Sequence, residues 1–299
     1  MHQERLWLAY AIFTVAAWGI WGALMNSTAD AGFPETLGYC VWSLTMVPPA
    51  LIALRLAGWK FEADTKSVLL GAAVGLLGAG GQLILFKTLR TAPAYLVFPF
   101  ISLSPVVTIL MALSISRERA SRRGWVGIVL ALAAAVLLSY SEPGSGGVGF
   151  WVLLALLVFL AWGIQGFVIS YANRSMGAES IFAYMAITGL LLAPVALLMT
   201  DVSQPVHWGF RGPWMAALIQ SLNSVGALCL VYAFRYGKAI IVSPLINAGA
   251  PVVTTLLSLA LYWTLPHPVH AAGIVLALTA TFLMAMEEDR ASRAESPGG

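Results

Sequence analysis

The sequence predicts an all-α polytopic membrane protein: ten transmembrane helices arranged as two five-helix inverted-topology repeats around a central cavity. Three observations predict it. Of 299 residues, 60% are hydrophobic and only 10% charged, with a mean hydropathy of +0.85, where a soluble domain carries roughly 25% charged residues. The apolar residues gather into ten stretches long enough to cross a bilayer. Motifs of the first half recur in the second at a nearly constant offset.

This composition excludes disorder, nucleic-acid binding and coiled coils. The total of 16 basic and 13 acidic residues says little by its sum; placement carries the information. Cys40 and Cys229 are the only cysteines and both lie in apolar runs, so neither a disulfide framework nor a metal cluster is expected, and they read as buried free thiols. The amino terminus imitates a signal peptide, with a short basic region and Ala29-Asp30-Ala31 as a mock cleavage site. Its apolar run, Leu6 to Met25, carries Trp7, Trp18 and Trp21 and exceeds the roughly 7 to 15 residues of a signal core. It is expected to remain as the first span.

Scanning for apolar stretches of about 20 residues places spans at 6–28, 35–56, 67–90, 94–116, 123–140, 148–172, 179–200, 212–235, 239–263 and 269–286. The linkers hold nearly every charged residue, as helices with internally satisfied backbones require. An amino terminus in the cytoplasm puts Arg5, Arg55, Lys60, Lys66, Arg117, Arg119, Arg122, Arg123, Arg174, Arg235, Lys238, Arg290 and Arg293 inside and only Lys87, Arg90 and Arg211 outside, 13 against 3. The positive-inside rule then places both termini in the cytoplasm and demands an even number of helices.

Ala17-Trp18-Gly19-Ile20-Trp21-Gly22 in span one matches Ala161-Trp162-Gly163-Ile164-Gln165-Gly166 in span six, 144 residues on. Pro105-Val106-Val107-Thr108 matches Pro251-Val252-Val253-Thr254, and Gly127-Ile128-Val129-Leu130-Ala131-Leu132 recurs from Gly273, both at an offset of 146. Ordered matches of this kind mark a duplicated unit: residues 1–140 form the first repeat, 148–286 the second, and 287–299 a cytoplasmic tail. Five helices per unit is odd, so the second unit enters the membrane from the opposite face. Inverted repeats supply two near-equivalent gates and point to a transporter.

In such architectures the substrate sits near the midplane between repeats, beside helices interrupted at corresponding places. Span four has Pro99 and Pro105, span nine Pro244 and Pro251. Each removes a backbone donor, giving either a hinge with carbonyls freed toward a cavity or a kink that serves packing alone. Pro48, Pro49 and Pro194 read as packing kinks. Polar residues within spans are few: Gln82, Ser102, Gln165, Gln220, Asn223, Ser243 and Asn247. Each is costly in lipid unless paired or facing water, so they are candidates for substrate contact, with interhelical hydrogen bonding as the alternative use. Trp18, Trp21, Trp162, Phe98 and Phe100 are candidate apolar walls, while Trp7, Trp151, Trp208, Trp214 and Trp263 fit interfacial belts. The glycines Gly71, Gly75, Gly78, Gly80 and Gly81 read as a close-packing surface.

No Asp, Glu or His lies well inside a span. Drug exporters coupled to protons use an intramembrane carboxylate, and an embedded enzyme needs acid, base or metal ligands at depth; no Walker motif is present either. The expectation is a transporter, not an enzyme, with no cofactor and no metal, moving a neutral or zwitterionic small molecule down its gradient. Lys87 and Arg90, with Arg235 and Lys238 at the equivalent inner position, either attract a carboxylate at the two mouths or are snorkelling helix ends.

Ten spans, the five-plus-five duplication, the AWG motifs at Ala17 and Ala161, and the proline-bearing fourth and ninth spans resemble the drug/metabolite transporter superfamily, specifically its EamA-type members. The resemblance covers the chain to about Glu287. Within the superfamily the sequence is similar to the YddG-type aromatic amino acid exporters of bacterial inner membranes. The resemblance implies a basket of ten helices, a cavity lined by spans one, three, four, six, eight and nine, and export of amino acids with broad selectivity, threonine and methionine included. The expected function is alternating-access export of amino acids as a uniporter, with the lipid bilayer and its small-molecule substrate as the only partners, no nucleic acid and no obligate protein partner. The rival is a proton-coupled or uncoupled exporter of another metabolite or drug, such as a nucleobase or methyl viologen; a passive channel is the further alternative.

Overall fold

A computed structural model describes residues 6–24, 26–91, 101, 103–138, 150–201, 203, 205–262 and 267–294. Among the described residues ten longer helices follow one another: α1 (Leu6–Leu24), α2 (Glu35–Leu56), α3 (Thr65–Gly75 and Gly81–Thr91, joined by a π-turn at Leu76–Gly80), α4 (Pro105–Ser114), α5 (Arg122–Leu138), α6 (Phe150–Ala172), α7 (Ala178–Leu198), α8 (Met215–Tyr236), α9 (Ala239–Tyr262) and α10 (Pro268–Ala294), with short helical turns at Asn26–Ala29 and Phe210–Trp214. No strand occurs among the described residues. α1, α2, α3, α6, α7 and α8 are long and apolar enough to cross a membrane, while the described apolar parts of α4, α9 and α10 are shorter. Bare leucines such as Leu56, Leu191 and Leu198, 72–88% exposed, belong on a surface whose solvent is hydrocarbon.

Local chemistry explains the ends and breaks. The Asp64 carboxylate caps α3, accepting from the amides of Lys66 and Ser67 and, at 2.5 Å, from the Ser67 hydroxyl. That hydroxyl, more than any other neighbour, holds the Asp64 carboxyl below its ordinary range. α2 breaks at Met46 and restarts with Pro48 and Pro49 in the new first turn, where a missing N–H goes unnoticed. α10 stays helical past the last apolar residue to Ala294, because Glu287 to Ala294 are good helix formers with no breaker before Pro297.

The packing order crosses the repeats. α1 lies against α8 and α9, and its counterpart α6 lies against α3 and α4; α2 packs on α7 and α5 on α10. A pseudo-two-fold exchange of the halves produces this pattern. Linker positions agree with it. Contacts between Arg174 and Glu118, Gly177 and Glu62, and Ile240 and Glu118 bring the α2–α3, α4–α5, α6–α7 and α8–α9 linkers to one face. On the other, the His207 amide donates to Gly32 at 2.9 Å, joining the α1–α2 and α7–α8 linkers.

The repeated motifs are the material of that exchange. The glycines of each AWG motif face the PVVT motif of the other repeat. A methyl group on Gly19 would stand 2.5 Å from Val253 Cγ1, and one on Gly163 would stand 2.5 Å from Val107 Cβ. Thr254 donates its hydroxyl to Gly19 O at 2.9 Å, and Thr108 donates to Gly163 O at 2.7 Å. Replacing either threonine by valine keeps the shape and removes the bond. Each change is expected to lower stability by about 1 kcal/mol, read as a small fall in melting temperature in detergent with the yield of folded protein retained.

Trp7, expected in an interfacial belt, is buried instead at 2% exposure, with its Cβ against Gly237 at the end of α8. Trp208 and Trp214 are two-thirds exposed, as a belt requires.

Candidate functional site

The sequence-predicted residues fall into two pseudo-equivalent seams. In the first, between α1 and α8, the Trp18 indole fills the notch left by Gly226 and donates from Nε1 to Asn223 O at 3.2 Å, while Trp21 Nε1 donates to Gln220 Oε1 at 3.1 Å. In the second, between α6 and α3, Trp162 fills the notch at Gly81 and donates to Gly78 O at 3.4 Å, while Gln165 Nε2 donates to Val74 O at 3.1 Å. Each tryptophan bonds the carbonyl three residues before the glycine it covers. The glycine run of α3 therefore serves packing, as its spacing suggests: Gly71 and Gly75 receive Tyr184 and Thr188 of α7, and Gly78 receives Gln165.

Two predicted polar groups have no partner among the described residues. Gln82 on α3, 8% exposed, and Asn223 on α8, 9% exposed, carry side-chain amides that make no protein hydrogen bond. A neutral amide left unmade inside a bundle costs roughly 1–3 kcal/mol, and lipid cannot repair it. On α9, Asn247 Nδ2 donates back to Ser243 O at 2.9 Å, and Ser243 is buried.

The proline candidates divide. Pro244 and Pro251 lie within a continuous α9, where each leaves the carbonyl four residues earlier, Ile240 and Asn247, without its helical donor. Pro105 occupies the first turn of α4, where its missing N–H costs nothing. Phe98, Pro99, Phe100 and Ser102 lie outside the described residues.

Residues that hydropathy could not single out crowd the face shared by the α2–α3, α4–α5, α6–α7 and α8–α9 linkers. Tyr10, Tyr232 and Tyr236 stack there, with 4.9 Å between the Tyr10 and Tyr232 centroids. Tyr232 donates its hydroxyl to Glu179 Oε1 at 2.6 Å, and Arg235 Nη1 donates to Met176 O at 3.0 Å. Asn173 Nδ2 donates to Val231 O at 3.0 Å, and the Tyr184 hydroxyl to Glu62 O at 2.9 Å. This network ties α6, α7 and α8 together at one end of the bundle. Its sequence signals are Arg235, a cation named for the inner mouth, and the pair Tyr232 and Tyr236, a helical turn apart. Tyr39 Oη and Trp42 Nε1 on α2 are buried and have no hydrogen-bond partner among the described residues. No group of three or more metal-ligating side chains occurs among the described residues.

Crossed inverted repeats in a membrane-spanning bundle, with tryptophans and neutral amides at the seams between them, are the architecture of a membrane transporter. The chain belongs to the EamA-like transporter family, whose pattern it matches twice, over residues 5–140 and 149–286. It is similar to protein RarD of Streptomyces exfoliatus, 25% identical over 308 aligned positions that cover 98% of this chain and 92% of that one. A solved protein structure superposes with a TM-score of 0.73 at 21% identity, covering 93% of this chain and 98% of that chain, which shows a shared fold.

Proposed function

We propose that this transporter exports amino acids, aromatic ones together with residues such as threonine and methionine, across a bacterial inner membrane by alternating access. Its cationic face, with both termini, lies in the cytoplasm, and transport is uniport. One observation supports this reading above the others. Gln82 and Asn223 present unpaired neutral amides at nearly buried positions, beside seams walled by Trp18 and Trp162. Neutral donors and acceptors suit the two ends of a zwitterion, and flat apolar walls suit a variable side chain. Gln165, Gln220, Ser243 and Asn247 are the remaining polar contacts of the proposal, and Pro244 and Pro251 are its hinges.

The test is counterflow in proteoliposomes, with and without a pH gradient, across a panel of amino acids, nucleobases and organic cations. Saturable exchange of phenylalanine, threonine or methionine is expected without a gradient. Movement of a nucleobase or methyl viologen and of no amino acid would sink the proposal. Strict dependence on the pH gradient would remove the uniport claim alone.

A further inference from the structure

The tyrosine-stacked face holds a cavity of about 390 Å³, within the range of roughly 300–1,000 Å³ common for ligand sites. Unlike the membrane interior it is lined by both signs of charge: Glu62 and Glu179 against Lys60, Arg174 and Arg235, together with Asn173 and Ser175. Most of these groups are committed to closing the face. Glu62 Oε1 accepts from the Gly177 amide at 3.3 Å, Glu179 accepts from Tyr232, and the guanidinium of Arg174 stands 3.8 Å from Glu118.

Among the described residues two covered atoms of this lining are left without a partner, and they are of one kind. Glu62 Oε2 is covered and accepts no hydrogen bond. Asn173 spends Nδ2 on the carbonyls of Ile169 and Val231, at 3.1 and 3.0 Å, which leaves its Oδ1 covered and equally without a donor. Both orphans are acceptors, one of them on a carboxylate. A covered acceptor without a donor destabilises the closed face, and the group that would satisfy both is a cation with several N–H bonds. Arg235 supplies the complement. It is exposed, and among the described residues its only hydrogen bond runs from Nη1 to Met176 O, so most of its donor fork remains for an anion.

We propose that this cavity is the loading site for a zwitterionic amino acid, its ammonium donating to Glu62 Oε2 and Asn173 Oδ1 and its carboxylate paired with Arg235. The inference rests on the amino acid reading of the preceding subsection and adds an entry site distinct from the midplane seams. A ligand that supplies the missing donors binds better to a conformation in which Glu62 and Asn173 are uncovered.

Ser175 lines the cavity and is exposed, which makes it a reporter. In a background of Cys40→Ala and Cys229→Ala, Ser175→Cys is labelled with a membrane-impermeant maleimide from the cationic face while L-methionine or L-phenylalanine is titrated. Protection is expected, with Glu62→Gln raising the half-protecting concentration about tenfold, the effect of losing one charge-assisted hydrogen bond. Methionine methyl ester, which keeps the ammonium and loses the carboxylate, is expected to protect less than methionine. As a second measure, Glu62→Gln and Arg235→Gln should raise the half-saturating concentration for counterflow from that face at unchanged folded yield. Transport of amino acids with no protection and with unchanged half-saturation in both variants would overturn the loading site and leave the exporter reading standing. Absence of amino acid transport by the unaltered protein would overturn both.

Discussion

Replacing Gly163 by alanine is expected to eliminate most folded protein, whereas the same change at Gly80 should be tolerated. An added methyl at Gly163 would lie 2.5 Å from Val107 Cβ and 2.6 Å from the carbonyl oxygen of Ser104. The second contact is backbone and has no rotamer to adopt. Overpacking of this kind costs about 1–3 kcal/mol even where side chains can move, and here α4 itself must shift. Gly80 meets nothing within 4 Å, and alanine adds roughly 0.8–1 kcal/mol of helix propensity.

The first repeat supplies an internal control. Gly19→Ala would collide chiefly with the Val253 side chain, with Ala250 O at 3.0 Å. Adding Val253→Gly should therefore restore part of the yield. Val107→Gly should not rescue Gly163→Ala, because Ser104 O remains. Fluorescence-detected gel filtration and thermal melting of the purified variants read both outcomes. A Gly163→Ala protein with native yield and melting would show that the AWG motif does not form the joint between repeats.

Asn223→Leu and Gln82→Leu carry the second large effect, and its two parts have opposite signs. Each substitution removes an amide that has no protein partner and replaces it with an apolar side chain of similar length. Transport should fall at least tenfold, since a site built around a polar group rejects a ligand left unpaired. Melting temperature should stay level or rise, because leucine carries no polar atoms to leave unsatisfied. Stability gained as activity is lost separates a ligand-facing residue from a structural one.

Trp18→Ala makes the contrast. It empties the notch at Gly226 and deletes the bond to Asn223 O, so it should lose about 3–5 kcal/mol of stability along with transport. If Asn223→Leu instead melted early, its amide would belong to packing.

Much of this architecture is legible in one dimension because a bilayer imposes constraints that act locally. Hydrocarbon forbids unsatisfied backbone, so each crossing declares itself as an apolar run. Linkers must hold charge, so Arg174 and Lys238 mark a face. An odd-numbered unit, once duplicated, must invert. The AWG and PVVT motifs are likewise visible as repeats at offsets of 144 and 146, yet nothing in their spacing says that each motif touches the other's copy. That contact joins residues 235 positions apart in Thr254 with Gly19 and 55 apart in Thr108 with Gly163, and only the pseudo-two-fold axis brings them together.

The candidate site follows the same division. Composition identifies Trp18, Trp162, Gln165 and Gln220 as polar or aromatic groups out of place in lipid, but cannot tell a group that faces a cavity from one spent on a neighbour. Tertiary contacts decide it: the two indoles and Gln165 bond backbone carbonyls of the opposite repeat, Gln220 accepts from Trp21, and Gln82 and Asn223 stay unpaired. Of the charged cavity only Arg235 is legible, as a cation at the inner mouth; Glu62 and Asn173 give no signal, since they come from a separate linker and helix end, where polar groups are ordinary. Sequence alone determined the all-helical, membrane-spanning class and the duplication, because the solvent acts on each segment independently. Which polar groups are spent and which are left for a ligand depends on distances between segments, and those exist only once the repeats have packed.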